Sequence, residues 1–337
     1  MAENTPSTVL VYVGLDRVGD GLLKLPFVRG LRHAFPDARI TWLAGKETSV
    51  YASVLAPVVE GLLDEVIENA AIGLHPSEFL HRPLAGRRFD LVIDTQRILW
   101  ASLSLWRIPH RTFVSPAARF LLSARRPLRG YRMPRSMQRQ LLDLLELASG
   151  KNYPTPVTLE LDLAPTLFAD AERLLPTGPV YVGIAPGSGG LPKCWPLENF
   201  IAVAKAQAAN GRVPVFLLGP KEVDWKADLS VAVPEARFPL QEAHIEASHQ
   251  YSPLFTIALA KQFTVALSND SGAGHMLAVG GAPLVSLFGT TVAEKFMPMT
   301  RHLVILRAAD FGGREMAAIP VSPVLDAVET ALGTRFK

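Results

Sequence analysis

The 337-residue sequence is short of several things, and each shortage removes a class of explanation. It has one cysteine, Cys194, which excludes an intramolecular disulfide and makes a thiolate metal site a poor fit; a tolerated loop position is expected for it. It lacks any apolar run near the 18 residues that a membrane-spanning helix needs, since the stretch from Ile98 to Trp106 is broken by serines and closed by Arg107. No basic segment precedes the first apolar run of MAENTPSTVLVYVGLDR, so a signal peptide is not indicated and a cytoplasmic location is predicted, possible contact with the membrane face aside. Asp-x-Asp is missing, the nearest spacing being Glu160-Leu161-Asp162, which argues against a metal-bridged nucleotide sugar. Missing too are Gly-x-Gly-x-x-Gly after a strand and Gly-x-Ser-x-Gly, which weakens the dinucleotide and nucleophile-elbow readings. His244 and His249 lack metal-ligand spacing.

One further absence is local. Between Asp94 and Asp143 there is no acidic residue, while Arg97, Arg107, Arg111, Arg119, Arg125, Arg126, Arg129, Arg132, Arg135 and Arg139 supply ten positive charges. The whole chain carries only +3, so the rest is net acidic. A solvated helix usually mixes both signs, and arginine suits two-pronged contact with carboxylate or phosphate, so an anionic partner is predicted for this segment. Nucleic acid is set aside as that partner because the aromatics are few, Phe113, Phe120 and Tyr131.

What the chain does contain is apolar runs alternating with helical spacing. At 49% hydrophobic and 19% charged it is long enough for two buried cores. Val9–Leu15, Arg39–Ala44, Asp64–Ile67 and Asp90–Asp94 read as strands of a first half, with helices from Gly21 to Phe35 and from about Glu47. Val180–Ala185, Val213–Gly219, Phe263–Ser268, Leu284–Gly289 and His302–Leu306 read as strands of a second, with helices at Leu197–Asn210 and Val321–Leu332. Pro176-Thr177-Gly178-Pro179 reads as the connection. The prediction is an α/β protein of two doubly wound halves, with a site beyond the carboxyl ends of the strands, between them.

Three loops hold the candidate chemistry. In "LDRVGDGLLK" the spacing Gly14-x-x-x-x-Gly19 begins like a phosphate loop, but Asp20 stands where a lysine would. A fixed carboxylate there repels phosphate, leaving two readings open: a first-turn acid that serves the helix dipole, or a general base. In "IAPGSGGLPKCWP" Ser188, Gly189 and Gly190 offer a hydroxyl and approachable amides, Lys193 a charge, and the following helix a positive end, which suits phosphate. In "SNDSGAGH" Ser271, Gly272, Ala273 and Gly274 make a second small-residue loop at a helix start, so the pair suggests a diphosphate. His275 is either structural or a ligand contact, and Asp270 either caps the helix or holds a ligand hydroxyl.

Together the stretches Val18–Ala44, Pro186–Phe200 and Ser268–Gly289 resemble the ADP-heptose:lipopolysaccharide heptosyltransferases, glycosyltransferase family nine, and the resemblance spans nearly the full chain. It implies a GT-B architecture of two Rossmann-like domains facing across a cleft. The acceptor-binding domain would span residues 1–165, with the terminal helix 321–337 packed back on it, and the donor-binding domain residues 175–320. It implies an inverting transfer of heptose from ADP-heptose to an anionic surface glycan such as the lipopolysaccharide inner core, with no cofactor and no required metal. By the same resemblance Asp20 is the catalytic base. Ser188, Gly189, Lys193, Asp270, Ser271, Gly272 and His275 hold the donor, as does Glu222 in "LLGPKEVD", with Asp224 as the other acid there. Arg17, Arg97 and Arg119 are the acceptor candidates, and peripheral contact with an anionic membrane face is expected of the arginine segment. Kindred alternatives are a relative using another nucleotide sugar, a protein or another glycan as acceptor, and a GT-B nucleotide-sugar epimerase, which needs no acceptor groove.

Overall fold

The computed structural model describes residues 5–73, 75–80, 83–242 and 249–334, so His244 and the last three residues of the expected terminal helix lie outside it. The chain divides into two compact units, residues 1–155 and 156–337.

The first unit runs β1 (Thr8–Val13), α1 (Val18–Ala34), β2 (Arg39–Ala44), β3 (Glu65–Ile67), β4 (Phe89–Asp94), α2 (Leu99–Trp106), β5 (His110–Val114) and α3 (Met137–Ser149). Its strands are parallel in the order β3-β2-β1-β4-β5. Val9 to Val13 are wholly buried, which is why β1 reads as an unbroken apolar run and not as an alternating one. Helix α1 crosses α3 through Gly30, where a Cβ would come within 2.5 Å of Leu145.

The second unit runs α4 (Pro165–Leu174), β6 (Tyr181–Ala185), α5 (Leu197–Ala209), β7 (Val213–Phe216), α6 (Trp225–Ala232), α7 (Pro253–Ala260), β8 (Val265–Asn269), α8 (Gly272–Val279), β9 (Leu284–Phe288), β10 (Leu303–Arg307) and α9 (Val321–Thr334). Its sheet is parallel in the order β10-β9-β8-β6-β7.

In each sheet the strand order reverses at one place, between β1 and β4 in the first and between β6 and β8 in the second. Loops that leave neighbouring strands to opposite faces open a crevice at such a point, and ligands of doubly wound sheets bind there.

Three expectations need correction. The connection falls near residue 155, not at Pro176–Pro179, and α4 belongs to the second unit, where its Leu167, Ala171 and Leu174 repeat at helical spacing and are buried. Helix α9, expected on the first unit, is packed into the core of the second. There Val324, Ala327, Val328, Ala331 and Leu332 bury one stripe with Trp195 and Phe200, and Glu329 accepts from Arg212 Nη2 at 2.7 Å. The helix expected from Glu47 is replaced by short turns at Val50–Ala52 and Ala56–Val59, the second carrying Pro57.

Candidate active site

The loop after β1 is held from beneath by a charge pair that reading the sequence did not single out. Asp16 and Lys24 are buried with their charged atoms 2.9 Å apart. Burying two charges is costly unless hydrogen bonds compensate them, and here both ions have further partners. The Asp16 carboxylate also accepts from the Trp42 indole at 2.9 Å and from the Ser49 hydroxyl, while Lys24 Nζ donates to Leu15 O at 2.6 Å. Tyr51 then donates to Gly21 O at 2.6 Å, and a Cβ on Gly21 would meet Val50 at 2.7 Å, so helix and loop fit in one arrangement.

Asp20 sits on this platform in the first turn of α1 and is half-buried. Its carboxylate makes no hydrogen bond or ion pair among the described residues. A side-chain cap is therefore absent, although the helix dipole still favours a negative charge there. What results is an acid available to a ligand on a rigid support. Arg17, the residue before the helix, is exposed and stands 3.7 Å from Glu47.

On the other side of the same reversal point, β4 ends in Asp94, which is wholly buried and accepts from the Gln96 amide at 2.8 Å, from Ser115 Oγ at 2.7 Å and from Ser102 Oγ. Burial pushes its carboxyl up to about 6. These bonds fix the turn that leads to Arg97.

Arg97 and Arg119 come together as walls of one pocket of about 550 Å3 in the first unit, which Arg17 does not line. Arg119 lies in the left-handed region (φ +57°) between Ala118 (+47°) and Phe120 (+65°). Three such residues in a row cost about 1 kcal/mol or more each. Burial of Phe120 against Tyr131, with ring centroids 5.9 Å apart, holds the turn in place.

The arginine segment is not one uniform surface. Arg139 bridges Asp143 (2.7 Å) and Glu146 (2.6 Å) along α3, Arg125 donates to Ala148 O (2.9 Å), and Arg111 lies 3.6 Å from Asp90. Arg119, Arg129, Arg132 and Arg135 are exposed and make no ion pair among the described residues.

In the second unit the loops after β6 and β8 are laced into one structure by Asn269, which is wholly buried. Its carbonyl accepts from Trp195 N at 3.0 Å and its amide donates to Pro186 O at 2.7 Å. This brings Lys193 to within 3.6 Å of Asp270, whose side chain is nearly buried while the lysine is half exposed. Ser188 shapes the first loop, donating to Gly190 O at 2.8 Å and accepting from Cys194 Sγ at 3.3 Å. Around Gly189 there is open space. Ser271, the residue before α8, makes no side-chain cap bond, and its buried hydroxyl has no hydrogen-bond partner. Gly272 and Gly274 follow, and a Cβ at Gly274 would lie 2.7 Å from Ser268 Oγ, so only glycine lets the helix start this close to β8. His275 is buried, and desolvation lowers it to about 4, which makes it a neutral imidazole at pH 7.

Glu222 joins the same place from the loop after β7. A Cβ on Gly187 or Gly219 would come within 2.6 Å or 2.7 Å of its carboxylate, and burial raises its affinity for a proton. Asp224 is exposed at the start of α6. Helices α5 and α8 thus begin without a side-chain cap beside Lys193, an arrangement suited to a diphosphate. Among the described residues no group of three or more His, Cys, Asp or Glu could hold a metal ion. No described helix is long and apolar enough to cross a membrane.

Asn269, Asp16, Lys24 and Asp94 are the residues that sequence reasoning missed. Each is polar and lies at or just beyond the end of an apolar strand, or one to two helical turns later, and that placement is the signal that could have found them.

Comparison with known proteins bears on this geometry. The model of the family described as glycosyltransferase family 9 (heptosyltransferase) matches residues 79–316. A lipopolysaccharide heptosyltransferase 3 of Escherichia coli is 24% identical over 345 residues, covering 93% of this chain and 96% of the relative. A solved glycosyl transferase family 9 protein from Veillonella parvula superposes with a TM-score of 0.68 at 22% identity, covering 97% of each chain. The E. coli heptosyltransferase WaaC, solved with ADP-2-deoxy-2-fluoro heptose, superposes with a TM-score of 0.63 at 17% identity, covering 96% of this chain and 99% of that one. The two parallel five-stranded sheets match the GT-B fold of these heptosyltransferases.

Proposed function

Because the chain belongs to glycosyltransferase family 9, the heptosyltransferase family, we propose that it moves a heptose from ADP-heptose to an anionic surface glycan such as the lipopolysaccharide inner core, with inversion and without a metal. The observation that carries the reading is the division of labour between units. A half-buried carboxylate with no partner among the described residues crowns the first reversal point, and an anion cradle of Lys193, Asp270 and two uncapped helix starts crowns the second. The relative solved with ADP-2-deoxy-2-fluoro heptose supports the choice of donor.

In this reading Asp20 takes the proton of an acceptor hydroxyl as that oxygen attacks the anomeric carbon from the face opposite the diphosphate. The glycosidic bond forms, the bond to the β-phosphate oxygen breaks, and ADP leaves. Lys193, the start of α5 and the amides of Ser271 to Gly274 stabilise the charge that grows on the leaving group, work that a cation does in other transferases. Gly189 lets the diphosphate approach the backbone, Ser188 keeps the loop shaped for it, and Glu222 and Asp270 accept from hydroxyls of ribose and heptose. His275, being neutral, donates or accepts without adding charge. Arg17, exposed before α1, meets the anionic acceptor glycan, Arg97 and Arg119 stand apart from it in a pocket of their own, and the chain works at the cytosolic face of the inner membrane.

The test is a thermal-shift panel of ADP-, UDP-, GDP- and CMP-sugars with and without magnesium. Stabilisation by ADP compounds alone, equal in both conditions, is expected; preference for a UDP-sugar or a magnesium requirement would overturn it.

A further inference from the structure

The pocket shared by Arg97 and Arg119 has an unusual chemistry for a place that meets a sugar. Phe120, Leu128, Tyr131 and Met133 complete its walls, and no carboxylate or carboxamide lines it. The Tyr131 hydroxyl is already donated to Asp143. Sugar hydroxyls are donors as well as acceptors and are best held where side-chain acceptors stand among the donors, whereas the side chains of this lining present guanidinium donors over an apolar floor. Its complement is a phosphate attached to hydrocarbon.

The rim points the same way. Leu128 is 89% exposed and Leu121 62% exposed, and Leu121 O accepts from Arg126 Nη2 at 3.0 Å, so the turn that carries one leucine carries a cation too. Arg129, Arg132 and Arg135 follow, all exposed, in a stretch with no acid to oppose them. Leucines set among arginines match the layers of an anionic leaflet, with hydrocarbon beneath phosphate. A soluble glycan would leave both leucines unused.

We propose that residues 117–135 dock the chain on an anionic membrane, with the pocket of Arg97 and Arg119 seating the phosphate of a phospholipid and Leu121 and Leu128 entering the acyl boundary. The proposal rests on the membrane-side reading of the acceptor given above, but its test reads vesicle binding and not sugar transfer, so either can fail alone. Docking of this kind holds the first unit at the surface where a lipid-linked acceptor is found, and leaves the acceptor glycan to residues outside the pocket.

The experiment is co-sedimentation of the full chain with vesicles of phosphatidylcholine alone, or mixed with phosphatidylglycerol, both free of glycolipid. Binding to the mixed vesicles only is expected, falling steeply with added salt. R129Q/R132Q/R135Q weakens it about a hundredfold, at about fivefold per arginine near an anionic surface. L121S/L128S weakens it about tenfold at unchanged melting temperature; glycerol phosphate competes with the wild-type chain for the vesicles, and R97Q/R119Q weakens binding and abolishes that competition. Equal binding to both vesicles, wild-type binding by the leucine variant, or binding that arises only when a glycolipid acceptor is added overturns the docking. Undiminished binding by R97Q/R119Q overturns the pocket assignment.

Discussion

The loops after β1 and β6 stand at equivalent places, each at the carboxyl end of a buried parallel strand beside the point where strand order reverses, yet they are built in opposite ways. After β1 a buried Asp16–Lys24 pair fixes the backbone and an acid without a partner rides on the first turn of the helix. After β6 a carboxamide from the neighbouring strand fixes the backbone, with no buried ion pair among the described residues, and a half-exposed lysine precedes the helix. The same strand-loop-helix unit presents an acid or a cation according to which sign of charge is consumed in holding it together. Where the cation is buried as support, an acid is presented at the surface of the loop, and where the support is neutral, a cation stays half exposed beside Asp270.

The sharpest way to break this comparison is Asp20→Asn. Turnover should fall about 10²- to 10⁴-fold with ADP affinity nearly kept. Wild-type turnover in the Asn variant would remove the base and leave the first loop a structural one. Next in size, Lys24→Met strands Asp16 as a buried charge, and urea denaturation should show a loss of about 3–5 kcal/mol, most of it recovered in D16N/K24M. If the double variant is no better than the single one, the pair is not the support described here.

Lys193→Met probes the opposite loop. Because the lysine is half exposed, ADP binding by calorimetry should weaken only about tenfold, with chain stability unchanged. A large loss of stability would make it a structural group like Lys24.

The smallest effect concerns pH, where one buried group in each unit should act in opposite directions. Asp94 of the first unit has its folded value raised to about 6, above that of an unfolded carboxyl, so its contribution is full below about pH 4 and lost as pH rises through 6. His275 of the second has its folded value lowered to about 4, so its contribution is full above about pH 6.5 and lost as pH falls through 4. Hydrogen exchange read by mass spectrometry and corrected for intrinsic rates, taken as the difference between wild type and Asp94→Asn or His275→Gln, separates these two groups from the effects of Asp64, Glu65, Asp90 and Glu222. It should show the Asp94 contribution protecting the first unit more, and the His275 contribution protecting the second less, as pH drops from 6.5 to 4. Asp94→Asn and His275→Gln should each flatten only their own unit's response.

These contrasts also explain how far the sequence could be read. Strands such as Val9–Val13 and Leu284–Phe288 are legible because both faces are buried, and that leaves an unbroken apolar run. β5 was missed because it lies at the edge of its sheet and its residues His110, Arg111 and Thr112 are partly or largely exposed, so nothing demands an apolar pattern. The small-residue loops and Lys193 were legible because phosphate contact needs particular residue types close together in the chain. The Asp16–Lys24 pair was not, since the partners stand eight positions apart across loop and helix and only the folded turn makes them neighbours. Arg139 was read with the anion-binding segment because its acids, Asp143 and Glu146, lie one and two turns further along α3, past the point where the acid-free stretch ends.

Asn269 has a consequence for anyone wishing to change what the second unit accepts. Both ends of its carboxamide are committed, one to residue 195 and one to residue 186, so neither an acid nor an apolar residue can take its place. The loop from Pro186 to Trp195 and the residue at 269 are therefore a single exchangeable cassette, though some 80 positions apart in the gene. A donor loop transplanted from a relative should function only when the partner at 269 travels with it.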